Sequence, residues 1–117
     1  TPERFAEAMA QVRAFAAEAG RDPAAVEGGM QFWTSVADDR AAARELVGRA
    51  MEATYRLPFE RFERYTPFGT AREVAAFLWQ FVEQGARHVN LITAQATPEE
   101  AIERAAEVRA ALRELAG

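Results

Sequence analysis

The sequence predicts an α/β fold built from parallel β/α units, with two strands and four main helices. Three observations carry that prediction. Four segments place apolar residues every three to four positions behind a helix-start signal. Two shorter segments break that period and are rich in aromatic and β-branched residues. The order along the chain is helix, strand, helix, connector, helix, strand, helix, the alternation of parallel β/α architecture. All 117 residues read as one such unit.

The first helix opens on Thr1-Pro2-Glu3, which supplies a cap, a proline at the first helical position and an acid at the positive end of the dipole. Phe5, Met9, Val12, Phe15 and Ala19 form its apolar face, and Gly20 stops it. Arg21-Asp22-Pro23 is a turn. From Gly28 to Val36 the pattern alternates, with Met30, Phe32, Thr34 and Val36 set against Gln31, Trp33 and Ser35, as a strand requires. Asp38 and Asp39 cap a second helix that runs to about Thr54. Its apolar face is small: Ala42, Leu46 and Ala50, with Val47 and Met51 beside it.

Residues 55–68 form an aromatic connector holding Tyr55, Phe59, Phe62, Tyr65 and Phe68, punctuated by Pro58 and Pro67. The one-turn spacing of Phe59 and Phe62 fits a short helix inside it. Thr70 and Glu73 are spaced as a capping box at the head of the clearest helix. Val74, Phe77, Leu78, Phe81 and Val82 are its buried stripe, and Gly85 ends it. Arg87 to Thr93 is the second strand. Thr97-Pro98-Glu99-Glu100 opens the last helix, with Ile102, Ala105, Val108, Leu112 and Leu115 along it. The first and last helices both open Thr-Pro-Glu and share Val-Arg-Ala at Val12 and Val108, as an echo of a β/α repeat or of shared composition.

Composition bounds what the chain does. Half of it is apolar and 27% is charged, as in a globular domain. A net charge of −4 makes nucleic acid a poor partner, and no apolar run approaches a membrane span. There is no Cys, which excludes disulfides, thiolate catalysis and Cys-based metal sites, and fits a reducing cytoplasm. The single histidine, His88, excludes His-cluster metal sites. Every cation is Arg and none is Lys, which reads as coding bias. The sequence shows no initiator Met and no secretory signal pattern, and from its start on a helix signal a piece of a longer polypeptide is expected. Two parallel strands do not make a stable sheet. Further strands are expected from upstream sequence or from another copy, so a homo-oligomer is expected.

Several segments carry a resemblance. They are Ala19-Gly20-Arg21-Asp22-Pro23 after the first helix, and Val36-Ala37-Asp38-Asp39 leading into an Ala/Arg helix. The third is Phe68-Gly69-Thr70 at the head of a helix that ends in Glu83-Gln84-Gly85-Ala86-Arg87-His88-Val89-Asn90-Leu91. In order and spacing these resemble the C-terminal region of luciferase-like flavin-dependent monooxygenases, along essentially the whole chain. Ala71-Arg72 stands where Pro-Glu is usual, which leaves the capping box intact. None of the motifs is itself catalytic. The resemblance implies the C-terminal part of an eight-stranded β/α barrel of the TIM type, whose seventh and eighth strands lie here. It also implies reduced FMN, or a deazaflavin, bound mainly by residues outside this chain and acting on a small organic substrate. The alternative is a non-catalytic α/β module for oligomerisation.

In such barrels chemistry sits at the C-terminal ends of strands. These ends are Thr34, Ser35 and the turn after Val36 on the first strand, and Ile92, Thr93, Ala94 and Gln95 on the second. Met30, Phe32 and Val36 are expected to face helices, as are Val89 and Leu91. Gln31, Trp33 and Ser35, with Asn90 and Ile92, are expected to line the interior. The cofactor-binding candidates are Trp33, Ser35, Asn90 and Thr93. Trp33 is either a surface for a flavin ring or a core aromatic. Ser35, Asn90 and Thr93 each offer a polar group to a cofactor; the alternatives are a satisfied strand-end hydroxyl for Ser35, a structural hydrogen-bond network for Asn90, and shaping of the loop before Thr97 for Thr93. His88, near the start of its strand, reads as structural, and Asp38 and Asp39 read as helix caps rather than an acid–base pair. The connector aromatics are either a substrate wall or packing. Phe77, Trp79 and Phe81 are expected to drive association.

Overall fold

A computed structural model describes residues 1–117. It contains four α-helices, α1 (Pro2–Glu18), α2 (Arg40–Tyr55), α3 (Ala71–Glu83) and α4 (Pro98–Ala116), and three strands, β1 (Gly28–Val36), β2 (Phe68–Gly69) and β3 (Ala86–Thr93). Short 3₁₀ turns lie at Pro23–Ala25, Phe59–Arg61 and Glu63–Tyr65. No helix is long and apolar enough to cross a membrane.

The sheet is wholly parallel, in the order β2-β1-β3. The expected two strands are therefore three. The addition, β2, is two residues long and sits inside the aromatic connector, pairing Phe68 and Gly69 with Ser35 and Val36. The connector's expected short helix is instead two 3₁₀ turns around Phe62.

The main ladder is β1 against β3, in register from Gly29 opposite His88 to Thr34 opposite Thr93. It continues one residue further, where the Ala94 N–H donates to the Thr34 carbonyl at 2.8 Å. A register irregularity between Gly28 and Gly29 brings the two backbones together. A Cβ at Gly29 would lie 2.9 Å from the His88 carbonyl oxygen, so no larger residue fits there without backbone movement.

Strand alternation sorts the side chains onto two faces. Phe32 and Val36 face α3, joined by Phe5, Val74, Leu78, Phe81 and Val108 in the larger core cluster. Phe32 meets Phe77 and Phe81 edge-on, with ring centroids 5.5 and 5.0 Å apart, and Phe5 joins Phe81 at 6.2 Å. The opposite face carries α2: Ala43, Val47 and Met51 pack with Phe59, Phe68 and part of Trp33. Helices thus cover both faces, with α1, α3 and α4 on one and α2 with the connector on the other.

Helix caps follow the sequence signals. Thr1 accepts from the Arg4 N–H, Asp39 from Ala41 and Thr97 from Glu100, and the Thr70–Glu73 capping box is complete in both directions. Several apolar faces differ from their reading. On α2 the buried residues are Ala43, Val47, Gly48 and Met51, while Ala42 is exposed; the face turns toward the connector, whose Phe59 packs on Gly48. On α1 only Phe5 and Ala16 are buried, and Phe15 is 65% exposed. On α4 Val108 and Ala111 are buried, but Ile102 is 72% exposed. Of the expected association cluster, Phe81 is buried and Phe77 packs on Phe32, while Trp79 is half-buried on the surface of α3, its indole donating to the exposed Glu83.

Replacing Gly29 with Ala tests the ladder geometry. The added methyl meets backbone rather than a movable side chain, so Gly29→Ala is expected to destabilise the fold by about 1–3 kcal/mol in urea unfolding.

Candidate functional site

At the C-terminal ends of β1 and β3 every buried polar side chain has a partner. The Thr34 hydroxyl donates to the Pro67 carbonyl at 2.8 Å and ties β1 to the connector ahead of β2. The Ser35 hydroxyl donates to the Ala43 carbonyl in the first turn of α2, and Ser35 is fully buried. Ser35 therefore pins α2 to the sheet, its hydroxyl engaged within the protein. Thr93 lies half-buried opposite Thr34 at the end of the ladder.

Gln95 closes the crevice between the two strand ends. Its Oε1 accepts from the Val36 N–H at 2.7 Å, and its Nε2 donates to the Val36 carbonyl at 3.1 Å. The side-chain amide acts as one more backbone pair, extending β3 past Thr93. The sequence places Gln95 at this end but holds no signal for the clasp, since the two partners lie 59 residues apart.

The open part of the sheet face carries amides and aromatics. Register sets Gln31 opposite Asn90 and Trp33 opposite Ile92. The Asn90 Nδ2 donates to the Gln31 Oε1 at 2.7 Å, and both residues are exposed. The Asn90 carbonyl oxygen and the Gln31 NH₂ group retain bonding capacity. Beside them the Trp33 indole N–H donates to the Tyr55 hydroxyl at 2.9 Å, with the rings 6.1 Å apart, and Tyr55 in turn lies 5.2 Å from Phe62. Three aromatics and two amides thus share one face. That arrangement can take the flat side of a conjugated ring and hydrogen-bond its edge. Tyr55 is the member that the strand pattern did not single out, because it reaches the face from the end of α2.

The remaining candidates lie elsewhere. His88 is at the start of β3, exposed, with Nε2 3.3 Å from Glu27. Asp39 is the α2 cap, whereas Asp38 is exposed and 3.6 Å from Arg104. The two aspartates serve different partners and form no acid–base pair. No group of His, Asp and Glu large enough to hold a metal ion is present.

Across the molecule, a groove of about 730 Å³ runs between the connector and α3, with Arg40, Glu63, Phe68 and Glu73 in its walls. Arg40 lies over the Phe68 ring at 4.4 Å and reaches the Phe68 carbonyl and Glu73 at 2.9 Å each. Arg44 lies over Phe59 at 5.2 Å and pairs with Glu63 at 2.6 Å. The Arg44 hydrogen bond holds the Glu63 carboxyl below the usual carboxylate range, and the Thr70 backbone N–H does the same for Glu73. These ion pairs are mutually satisfied and partly exposed, so they fasten α2 to the connector and to the head of α3 and leave little free charge for a ligand. The one-turn spacing of Arg40 and Arg44 is present in the sequence, but nothing there shows that Glu60 and Glu63, on two separate 3₁₀ turns, come round to meet Arg44.

Two outcomes follow. Gln95→Leu strips both Val36 backbone groups of their partner in a buried setting, so it is expected to cost about 1–3 kcal/mol in urea unfolding; an unchanged midpoint contradicts the clasp. Glu63 has a lowered folded-state pKa, so its contribution is complete above the usual carboxylate range and is lost as pH falls through that range. Glu63→Gln is therefore expected to flatten part of the acid limb of a stability–pH profile and to leave its neutral-to-basic shape unaltered. Set beside known proteins, the chain matches no family model, no curated protein and no solved structure.

Proposed function

We propose that this chain is the C-terminal part of a luciferase-like flavin-dependent monooxygenase or oxidoreductase, inactive by itself, in which it forms two adjacent strands of a β/α barrel. The observation that carries the reading is the β1–β3 pair. The two long strands are parallel neighbours, α1, α3 and α4 line one face, and the Gln31–Trp33–Asn90 face lies opposite. The helix-lined apolar face and the polar, aromatic face at Gln31 and Asn90 suit the outer and inner sides of a TIM-type barrel wall. The packing of α2 on the Trp33 side departs from a plain barrel, whose helices lie on the outer side alone. On this reading α2, the connector and β2 are an insertion over the C-terminal ends of the strands. The sheet is open on both sides, which favours completion by further strands: β2 covers only Ser35 and Val36 of β1, and β3 pairs with β1 alone.

The residues present fit one part of a flavin. Trp33 and Tyr55 suit the face of the ring system, and the Gln31 and Asn90 amides suit its hydrogen-bonding edge. They do not supply a phosphate grip, because the α2 and α4 N-termini are capped by Asp39 and Thr97. When bound, the flavin supplies the redox chemistry toward dioxygen or a hydride acceptor, and this chain positions and shields it. A second reading, a non-catalytic oligomerisation module, draws on the same open sheet edges and on the exposed Phe15 and Ile102.

Titration with FMN, oxidised and reduced, followed by tryptophan fluorescence, separates the two. The flavin reading expects tight binding by a polypeptide that also carries the upstream β/α units, and binding at least about tenfold weaker by these 117 residues alone. It further expects Trp33→Ala to weaken the longer polypeptide's binding by about tenfold. Indifference of both polypeptides to FMN, and to a deazaflavin, leaves the module reading standing.

A further inference from the structure

The exposed edge of β3 is long, regular and unprotected. Its eight residues, Ala86–Thr93, pair on one side only and include no proline. Such an edge is a template for another strand unless something covers it. Beside it, under α4, lies an apolar slot of about 470 Å³ walled by Val82, Val89, Leu91, Ala105 and Leu112. Arg87 and Arg109 line the same slot, and neither forms an ion pair within the chain.

The charges of α4 are unevenly spread along its length. Its first half holds Glu99, Glu100 and Glu103 with a single cation, Arg104, which is taken up by Asp38 and Glu107; its last turns hold Arg109 and Arg113 against one acid, Glu114. α4, which packs mainly on α3, starts at Pro98, a short connection after Thr93, so its acidic start is tied to the Thr93 end of β3, and Arg109 lines the slot beside Arg87. Ile102, one of the most exposed large apolar residues at 72%, does not line its own chain's slot and lies one helical turn before Ala105, which does.

We propose that two copies of this chain associate about a two-fold axis through the free edge of β3, pairing the two edges antiparallel into one continuous six-stranded sheet. Antiparallel pairing brings the Arg87–Arg109 end of each copy against the partner's Glu99 and the partner's Glu103. Each Ile102 enters the other copy's slot. A two-fold contact satisfies both charged ends at once and closes on itself, so it stops at a dimer. A parallel addition would set like charge against like and leave a fresh edge for a third copy. The inference rests on the β3 edge being free, as in the oligomerisation-module reading; in a closed barrel an upstream strand would take that edge instead, and a monomeric chain would then be the result.

Sedimentation equilibrium of the 117-residue chain at low ionic strength tests it, with circular dichroism confirming that each variant folds. The expected result is a dimer that weakens with added salt. Arg87→Glu with Arg109→Glu makes both ends acidic, and Glu99→Arg with Glu103→Arg makes both ends basic. Each pair is expected to raise the dissociation constant at least about tenfold, and an equimolar mixture of the two variants to restore the dimer. Ile102→Ser is expected to weaken the dimer without altering the charge pattern of the ends. A monomeric parent chain, a dimer indifferent to both charge reversals, or variants that stay monomeric when mixed would each overturn the proposal.

Discussion

The parallel ladder between β1 and β3 is the constraint on which the remaining structure hangs. It joins segments some sixty residues apart and needs a bare backbone at Gly29, where the two chains come too close for a Cβ. Once it forms, strand alternation leaves no freedom in what faces where. Phe32 and Val36 must meet α3, and Trp33 and Ser35 must meet α2. A slip of one residue would send the phenylalanine side of the core into solvent and the amides into it.

From that ladder the two core clusters divide the labour. The larger is an aromatic and aliphatic seam in which Phe32, Phe77 and Phe81 interlock beneath α3. The smaller is thinner and is reinforced by polar links: Ser35 to Ala43, Thr34 to Pro67, and the arginines of α2 lying over Phe59 and Phe68. Only 23 of 117 residues are buried, so the core is small for the chain's length, and uncovered sheet edges flank it. That imbalance favours a larger assembly, whether the further strands come from the same polypeptide or from a second copy.

Much of the fold was legible in the sequence because it rests on short-range signals. The helix starts at Thr1, Thr70 and Thr97 needed only a hydroxyl and its neighbours three residues on. The strand over residues 28–36 needed only its period. Features set by partners far along the chain were not legible. Two residues of β2 carry no pattern and become a strand only because Val36 is there to pair with. The buried face of α2 is chosen by Phe59, not by its own apolar spacing. The apolar stripes of α1 and α4 predicted burial for Phe15 and Ile102, yet periodicity says nothing about whether a neighbour exists to cover them. At the site the same division holds. Alternation put Trp33 and Asn90 on the open face, but it assigned Ser35 there too and had no means of seeing the Ala43 carbonyl that claims its hydroxyl, nor the Gln95 clasp on Val36.

Hydrogen exchange resolved by residue addresses the central claim directly. If the β1–β3 ladder holds the molecule together, the amides engaged in it, within Met30–Thr34 of β1 and Val89–Thr93 of β3, are the slowest to exchange and open only with global unfolding, while β2 and the second half of α1 exchange earlier. Fast exchange along β1 and β3 with the slowest amides confined to the helices would mean that the helices fold without the ladder, and would contradict the account.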